Sequence, residues 1–185
     1  MSIKSFRYRT VCYSTLLLFC IFITAAGVCR ADDTAIEYKL KAAFMLNFAK
    51  FTTWPQNSSD QSGKQFNFCI LGKNPFGNAL AGMESKKVGG KKVDVHYGQS
   101  LDDFQGCQVL FISRSLSGSF PQLQKNIANQ PILTVSDIEG FSRMGGIFEF
   151  VSKDEKLSFI VSNQEAQKSG LQVNASLLSL AAEVF

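Results

Sequence analysis

Side chains able to do chemistry are few in this chain, and their spacing is poor for catalysis. The one histidine, His96, sits in an alternating run with Val93, Asp94 and Val95. Period-two alternation puts His96 and Asp94 on one face of a strand and the valines on the other. His96 therefore reads as a solvent-facing strand residue. With no second histidine, the usual Ser-His-Asp triads and histidine-rich zinc sites are out of reach. Serines are abundant, yet no G-x-S-x-G elbow occurs. The pairs Gly89-Gly90 and Gly145-Gly146 match neither G-x-G-x-x-G nor a P-loop, and read as turns. Asp102-Asp103 and Asp154-Glu155 fall in loops, where carboxylates are ordinarily solvated. Nucleophile, base and metal-ligand sets are all missing, so the residues argue against an enzyme and imply no cofactor.

Cysteine is the remaining reactive type. Of five cysteines, Cys12, Cys20 and Cys29 lie in the first 31 residues, which leaves Cys69 and Cys107. If the two strands that carry them are neighbours, the pair comes within bridging range. Such a bridge is either a structural staple or a redox-sensitive bond, and both readings stay open. Without C-x-x-C spacing, the pair gives little support for oxidoreductase activity.

The first 31 residues have the parts of a secretory signal. Lys4, Arg7 and Arg9 form a basic start, Val11 to Thr24 is an uncharged and mostly apolar run, and small residues follow at Ala25, Ala26, Gly27 and Ala31. Cleavage is expected after Ala31, with residues 32–185 as a single domain. An uncleaved anchor is the competing reading; Asp32 and Asp33 favour a mature start. The leader also explains the basicity. The chain has 19 Lys+Arg against 15 Asp+Glu; removing Lys4, Arg7, Arg9 and Arg30 leaves 15 against 15. A neutral domain lacks the basic surface that nucleic-acid binding wants.

The elements that must hold these residues alternate. Thr34 to Glu37 has capping-box spacing. Beyond it, Ile36, Leu40, Ala43, Phe44, Asn47, Phe48 and Phe51 recur on one helical face, and the helix should stop near Trp54-Pro55. Gln56 to Lys64 reads as a polar loop. Phe66 to Leu71, Cys107 to Ile112 and Ile132 to Val135 are continuous apolar strands. Lys91 to Tyr97 is an alternating one. Helices are expected over Pro75 to Glu84 and Leu116 to Ala128. Apolar strands interleaved with helices predict a mostly parallel sheet covered on both faces. Ile147 to Val151 and Lys156 to Val161 add an antiparallel hairpin. A short helix over Gln164 to Lys168 follows, then a closing helix over Ala175 to Val184 capped by Asn174.

The segments KLKAAFMLNFAKFTTWP (Lys39 to Pro55), FCILG (Phe68 to Gly72), CQVLFIS (Cys107 to Ser113), ILTVSD (Ile132 to Asp137), GGIFEF (Gly145 to Phe150) and SGLQVNASLLSLA (Ser169 to Ala181) resemble, in this order, the motifs of the YfiR-like periplasmic proteins. The resemblance covers essentially the whole chain after the leader. It implies an α/β, Rossmann-like three-layer fold without a dinucleotide site, and a non-enzymatic periplasmic regulator. It further implies a Cys69–Cys107 disulfide. The implied partner is the periplasmic part of an inner-membrane diguanylate cyclase (YfiN-like), held inactive so that cyclic-di-GMP and biofilm formation fall. An outer-membrane lipoprotein (YfiB-like) that sequesters the repressor and a homodimer are the other implied partners. Two departures stand out. The family's second cysteine pair is absent between Phe141 and Phe150. Ser162 occupies the asparagine position of an F-x-I-N pattern.

Arg143, Phe148, Glu149 and Ser162 are accordingly the expected partner or ligand surface, with Phe148 as apolar centre and Arg143 and Glu149 at its rim. The alternative is a small-ligand or redox sensor feeding a different membrane signalling protein, with Arg143 pairing an anionic ligand near the hairpin.

Overall fold

A computed structural model describes residues 30–55, 64–103, 106–154 and 156–185. The expected leader and the polar loop after Gln56 lie outside these, apart from Arg30, Ala31 and Lys64. The chain divides into two compact units, Met1–Ile36 and Glu37–Phe185. Among its described residues the first unit holds only the opening turns of helix α1 (Arg30–Lys50). That helix begins before Thr34, so the capping-box position is helix interior.

In the second unit α1 runs into strand β1 (Thr52–Thr53). The succeeding elements are β2 (Gln65–Leu71), β3 (Lys87–Val88), β4 (Lys91–Gly98), β5 (Val109–Ile112), helix α2 (Phe120–Ile127) and β6 (Leu133–Ser136). Then come β7 (Phe148–Lys153), β8 (Lys156–Val161), α3 (Asn163–Lys168), β9 (Gln172–Val173), α4 (Ala175–Leu178) and β10 (Glu183–Val184). Eight strands form one sheet in the order β10-β8-β7-β6-β5-β2-β4-β3. The central run β4-β2-β5-β6-β7 is parallel throughout. The β7–β8 hairpin is antiparallel and is turned at Asp154, whose φ is 51°. The α/β reading with an added hairpin is correct.

Parallel strands buried on both faces need apolar residues at every position, and β5 (VLFI) is buried at all four. Phe68, Ile70, Val109 and Phe111 point into one core with Met45 and Phe48 of α1. Cys69, Leu71, Leu110 and Ile112 point into the other, with Phe120 and Ile127 of α2. Phe48 anchors the first core: its ring stacks on Phe148 at 4.1 Å and meets Phe159 edge-on at 4.9 Å. Such pairs add about 0.5–1.5 kcal/mol beyond the area they bury.

Two expectations fail. The buried face of α1 is Lys41, Ala42, Met45, Phe48 and Ala49, whereas Leu40, Ala43, Asn47 and Phe51 are exposed. Of the expected stripe, Phe48 is buried and Phe44 packs half-buried against the same core, so the periodicity holds at those two and misplaces the rest. The closing helix also stops at Leu178. Residues beyond it add a strand instead, because β8 would otherwise leave backbone groups unpaired. Ala182 N–H donates to Phe159 O, Phe185 N–H donates to Val161 O, and β10 pairs parallel to β8.

A separate two-stranded sheet pairs β1 with β9, Thr52 opposite Val173 and Thr53 opposite Gln172. Asn174 N–H donates to Phe51 O. The opening and closing sequence motifs thus meet.

Candidate partner surface and buried polar centre

The four residues expected to form one surface separate into two groups. Phe148 is completely buried in the phenylalanine cluster, and Glu149 is 4% exposed. The Glu149 carboxylate accepts from Gly140 N–H (2.8 Å), Ser142 N–H (3.0 Å) and Ser142 Oγ–H (2.6 Å). It holds the loop between β6 and β7 closed and presents no charge to a partner. Ser162 is buried and caps α3, its hydroxyl accepting from Glu165 N–H. Alternation along β7 turns Phe148 inward, and the apolar string GGIFEF cannot itself say which side faces a partner.

Arg143 alone is exposed. Its guanidinium donates to Glu183 Oε1 at 2.6 Å and lies 5.1 Å from the centre of the Phe185 ring. Met144, next to it in the chain, and Val184 and Phe185 of the final segment are large apolar side chains open to solvent; so is Leu180, at 69%. One group of exposed apolar residues therefore gathers around the β10 edge of the sheet, where sequence reasoning expected a helix. Leu40 and Phe51 on the outer side of α1 form a further exposed apolar face.

A buried polar centre escaped the sequence reading altogether. Asp137, just beyond β6, has its carboxylate beneath α1. Lys41 Nζ donates to Asp137 Oδ2 at 2.7 Å, and Tyr38 Oη–H donates to the same oxygen at 2.7 Å. Arg114 reaches over from the turn after β5 and donates to the Asp137 carbonyl oxygen at 2.8 Å. Lys41 also pairs with Glu37, one turn away, at 2.7 Å. Burial by itself pushes the Asp137 carboxyl up, but the hydrogen bond and charge of Lys41, with Tyr38 and Arg114, outweigh it and hold the acid below its usual range. Burial first, then the hydrogen bond to Asp137 and its charge, push the Tyr38 phenol well above its ordinary value. The sequence contained one hint, an aspartate directly after a buried strand.

In an open parallel sheet, ligands usually bind at the carboxyl ends of the strands where the order reverses. Here that point lies between β2 and β5, and the chain fills it. Gly72 has φ +90°, and a Cβ on it would lie 2.8 Å from Ser115 Oγ and 3.0 Å from Leu116 Cδ1. Lys73 N–H donates to Ser115 Oγ at 3.1 Å. A nucleotide phosphate would have to displace both side chains.

The cysteine pair forms as expected. Cys69 and Cys107 are disulfide-bonded with Cα atoms 6.1 Å apart, and both residues are buried. The bond joins β2 to the residues leading into its neighbour β5. His96 is exposed on β4, with Nε2 3.4 Å from Asp94 Oδ2. Among the described residues, no three of His, Cys, Asp and Glu gather as a metal-ligand set. No helix among them is long and apolar enough to cross a membrane.

The family model DUF4154, YfiR/HmsC-like, matches residues 38–182. The chain belongs to the YfiR/HmsC-like family. The match takes in the α1 motif, the disulfide strands, the hairpin and the β1–β9 junction. Family membership points to a regulator rather than an enzyme. No curated protein sequence matches the chain. Among solved structures, the ABC domain from Streptococcus pneumonia in complex with L-Trp superposes with a TM-score of 0.53 at 11% identity, covering 78% of this chain and 60% of that one. The chain thus spans less than two thirds of that structure, and the likeness is one of fold alone.

Proposed function

We propose that this YfiR/HmsC-like chain is an exported, non-enzymatic regulator that binds the periplasmic part of an inner-membrane diguanylate cyclase and holds it inactive. Cyclic-di-GMP and biofilm formation fall as a result. The observation that carries this reading is the family match over residues 38–182. The filled switch-point crevice and the exposed apolar edge agree with action by contact. Interface cores are depleted in charge and enriched in aromatic residues. The β10 edge fits that description, with Phe185, Val184 and Met144 around the Arg143–Glu183 pair. The surface proposed here thus keeps Arg143 and replaces Phe148, Glu149 and Ser162 with the final strand.

A clean gene deletion tests the reading. Cyclic-di-GMP should rise in the deletion strain and return when the intact gene is restored; an unchanged level would sink the proposal. Carrying Arg143→Glu on the restored gene should fail to lower it, with the protein exported and folded to the normal level.

A further inference from the structure

Four lysines crowd the β3–β4 hairpin, where the sequence reads KKVGGKK from Lys86 to Lys92 with no acid inside the run. Gly89 and Gly90 have φ of 55° and 83°, the left-handed pair that a tight two-residue hairpin turn requires. A Cβ at either glycine would meet nothing within 4 Å, so the tip of the turn is open. Lys87 lies directly opposite Lys92, and Val88 opposite Lys91. Cross-strand partners share a face, and like charges so placed destabilise a sheet. Lys86, Lys87 and Lys92 are exposed, and among the described residues none of them has an ion-pair partner. Of the flanking acids, Asp94 stands 3.4 Å from His96, and Glu84 is in no described ion pair. Exposed Lys64 adds to the same end of the sheet, since it precedes Gln65, the residue of β2 opposite Lys92. The balance of 15 basic and 15 acidic residues beyond residue 31 thus conceals a basic pole.

The layout of the charges selects what fits. The hairpin has no arginine for bidentate pairing and no aromatic ring for stacking. Its lysines are compact point charges, suited to a diffuse array of phosphates. Alternation puts Lys87 and Lys92 on one face and Lys86 and Lys91 on the other. A polymer laid along one face would meet half of them. A flat anionic layer meeting the open turn end-on meets both faces.

We infer that the β3–β4 hairpin is a docking surface for a membrane rich in anionic phospholipid, held by Lys86, Lys87 and Lys92. β3 and β10 are opposite edges of the sheet, so a membrane at the hairpin leaves the β10 edge open to a protein partner. The surface does not depend on the cyclase reading. Vesicle binding uses the purified protein alone, so its failure leaves cyclase capture untouched.

The test is co-sedimentation of the exported protein with vesicles of phosphatidylglycerol and phosphatidylcholine in equal parts, beside vesicles of phosphatidylcholine alone. The protein should pellet with the anionic vesicles only, and should be released at about 1 M salt, where the Debye length is about 3 Å. Lys87→Gln with Lys92→Gln should weaken the partition about fivefold for each lysine, about 25-fold together. The same change relieves the cross-strand repulsion, so it should not lower the thermal midpoint. Equal binding to both vesicles, binding indifferent to salt, or an unchanged partition in the double variant would each overturn the inference. Capture by immobilised heparin without binding to anionic vesicles would overturn it too, marking the hairpin as a site for a soluble polyanion.

Discussion

Lys41 Nζ of α1 stands 2.7 Å from Asp137 Oδ2 beyond β6, and both side chains are almost wholly buried. Removing one member of such a pair leaves an uncompensated buried charge, at a cost of about 3–5 kcal/mol. Asp137→Ala should fall at the lower end, because Glu37 still faces Lys41 at 2.7 Å. Replacing both partners with apolar residues, Lys41→Met with Asp137→Leu, should cost far less than the two single changes added together. Urea denaturation of the four proteins measures the coupling; additive losses would show that the pair is not a unit.

The same centre sets an acid limit. In the folded state Lys41, Tyr38 and Arg114 together hold the Asp137 carboxyl below the usual carboxylate range. A depressed carboxyl contributes stability above its unfolded pKa, near 3.9, and loses it as pH falls through the folded value. The urea midpoint should therefore drop as pH falls below about 4, and Asp137→Asn should flatten that limb. Tyr38 has the opposite sign. Its raised pKa contributes below about pH 10 and is lost as pH climbs toward the folded value, so Tyr38→Phe should flatten the alkaline limb.

The Cys69–Cys107 bond closes a 38-residue separation. The chain-entropy account assigns it about 4 kcal/mol. At about 2–4 °C per kcal/mol for a domain of this size, Cys69→Ser with Cys107→Ser should lower Tm by about 8–16 °C in scanning calorimetry. Because both cysteines are buried, reductant should open the native bond no faster than the protein itself opens. Rapid reduction of folded protein would instead mark the bond as a redox switch.

Phe148 and Arg143 should part company on mutation. Phe148→Ala empties a place in the phenylalanine cluster and should cost about 3–5 kcal/mol. Arg143→Ala lies on the surface and should move stability by no more than about 0.5 kcal/mol, while weakening capture of the cyclase's periplasmic part. A Phe148→Ala protein of normal stability would contradict the burial described above.

Strand positions were legible because a strand buried on both faces spells a continuous apolar run, as VLFI does at Val109 to Ile112. His96 was legible because alternation with Val93 and Val95 leaves it one direction to point. The face of α1 was legible only at Phe44 and Phe48, since the exposed Leu40 and Phe51 are as apolar as the buried Met45. Only the position of Asp137, nearly a hundred residues away, draws Lys41 inward. The end of the chain misled for a related reason. Residues Leu180 to Val184 have helical spacing, yet the unpaired edge of β8 makes backbone demands that no local pattern records. Among the expected surface residues, Phe148 points into the core and Glu149, on the same strand, turns its carboxylate to the loop at Gly140 and Ser142, and a motif string does not show its own depth.

The disulfide also divides the molecule mechanically. Everything between Cys69 and Cys107, including the β3–β4 hairpin, lies inside the covalent loop. A molecule drawn out by its two ends carries the load through the sulfur bridge and bypasses that loop. At about 3.4 Å per residue, 38 residues held back would leave the oxidised chain about 130 Å shorter at full extension than the reduced one. Strands β3 and β4 would then stay outside the line of force while the rest of the sheet is pulled apart.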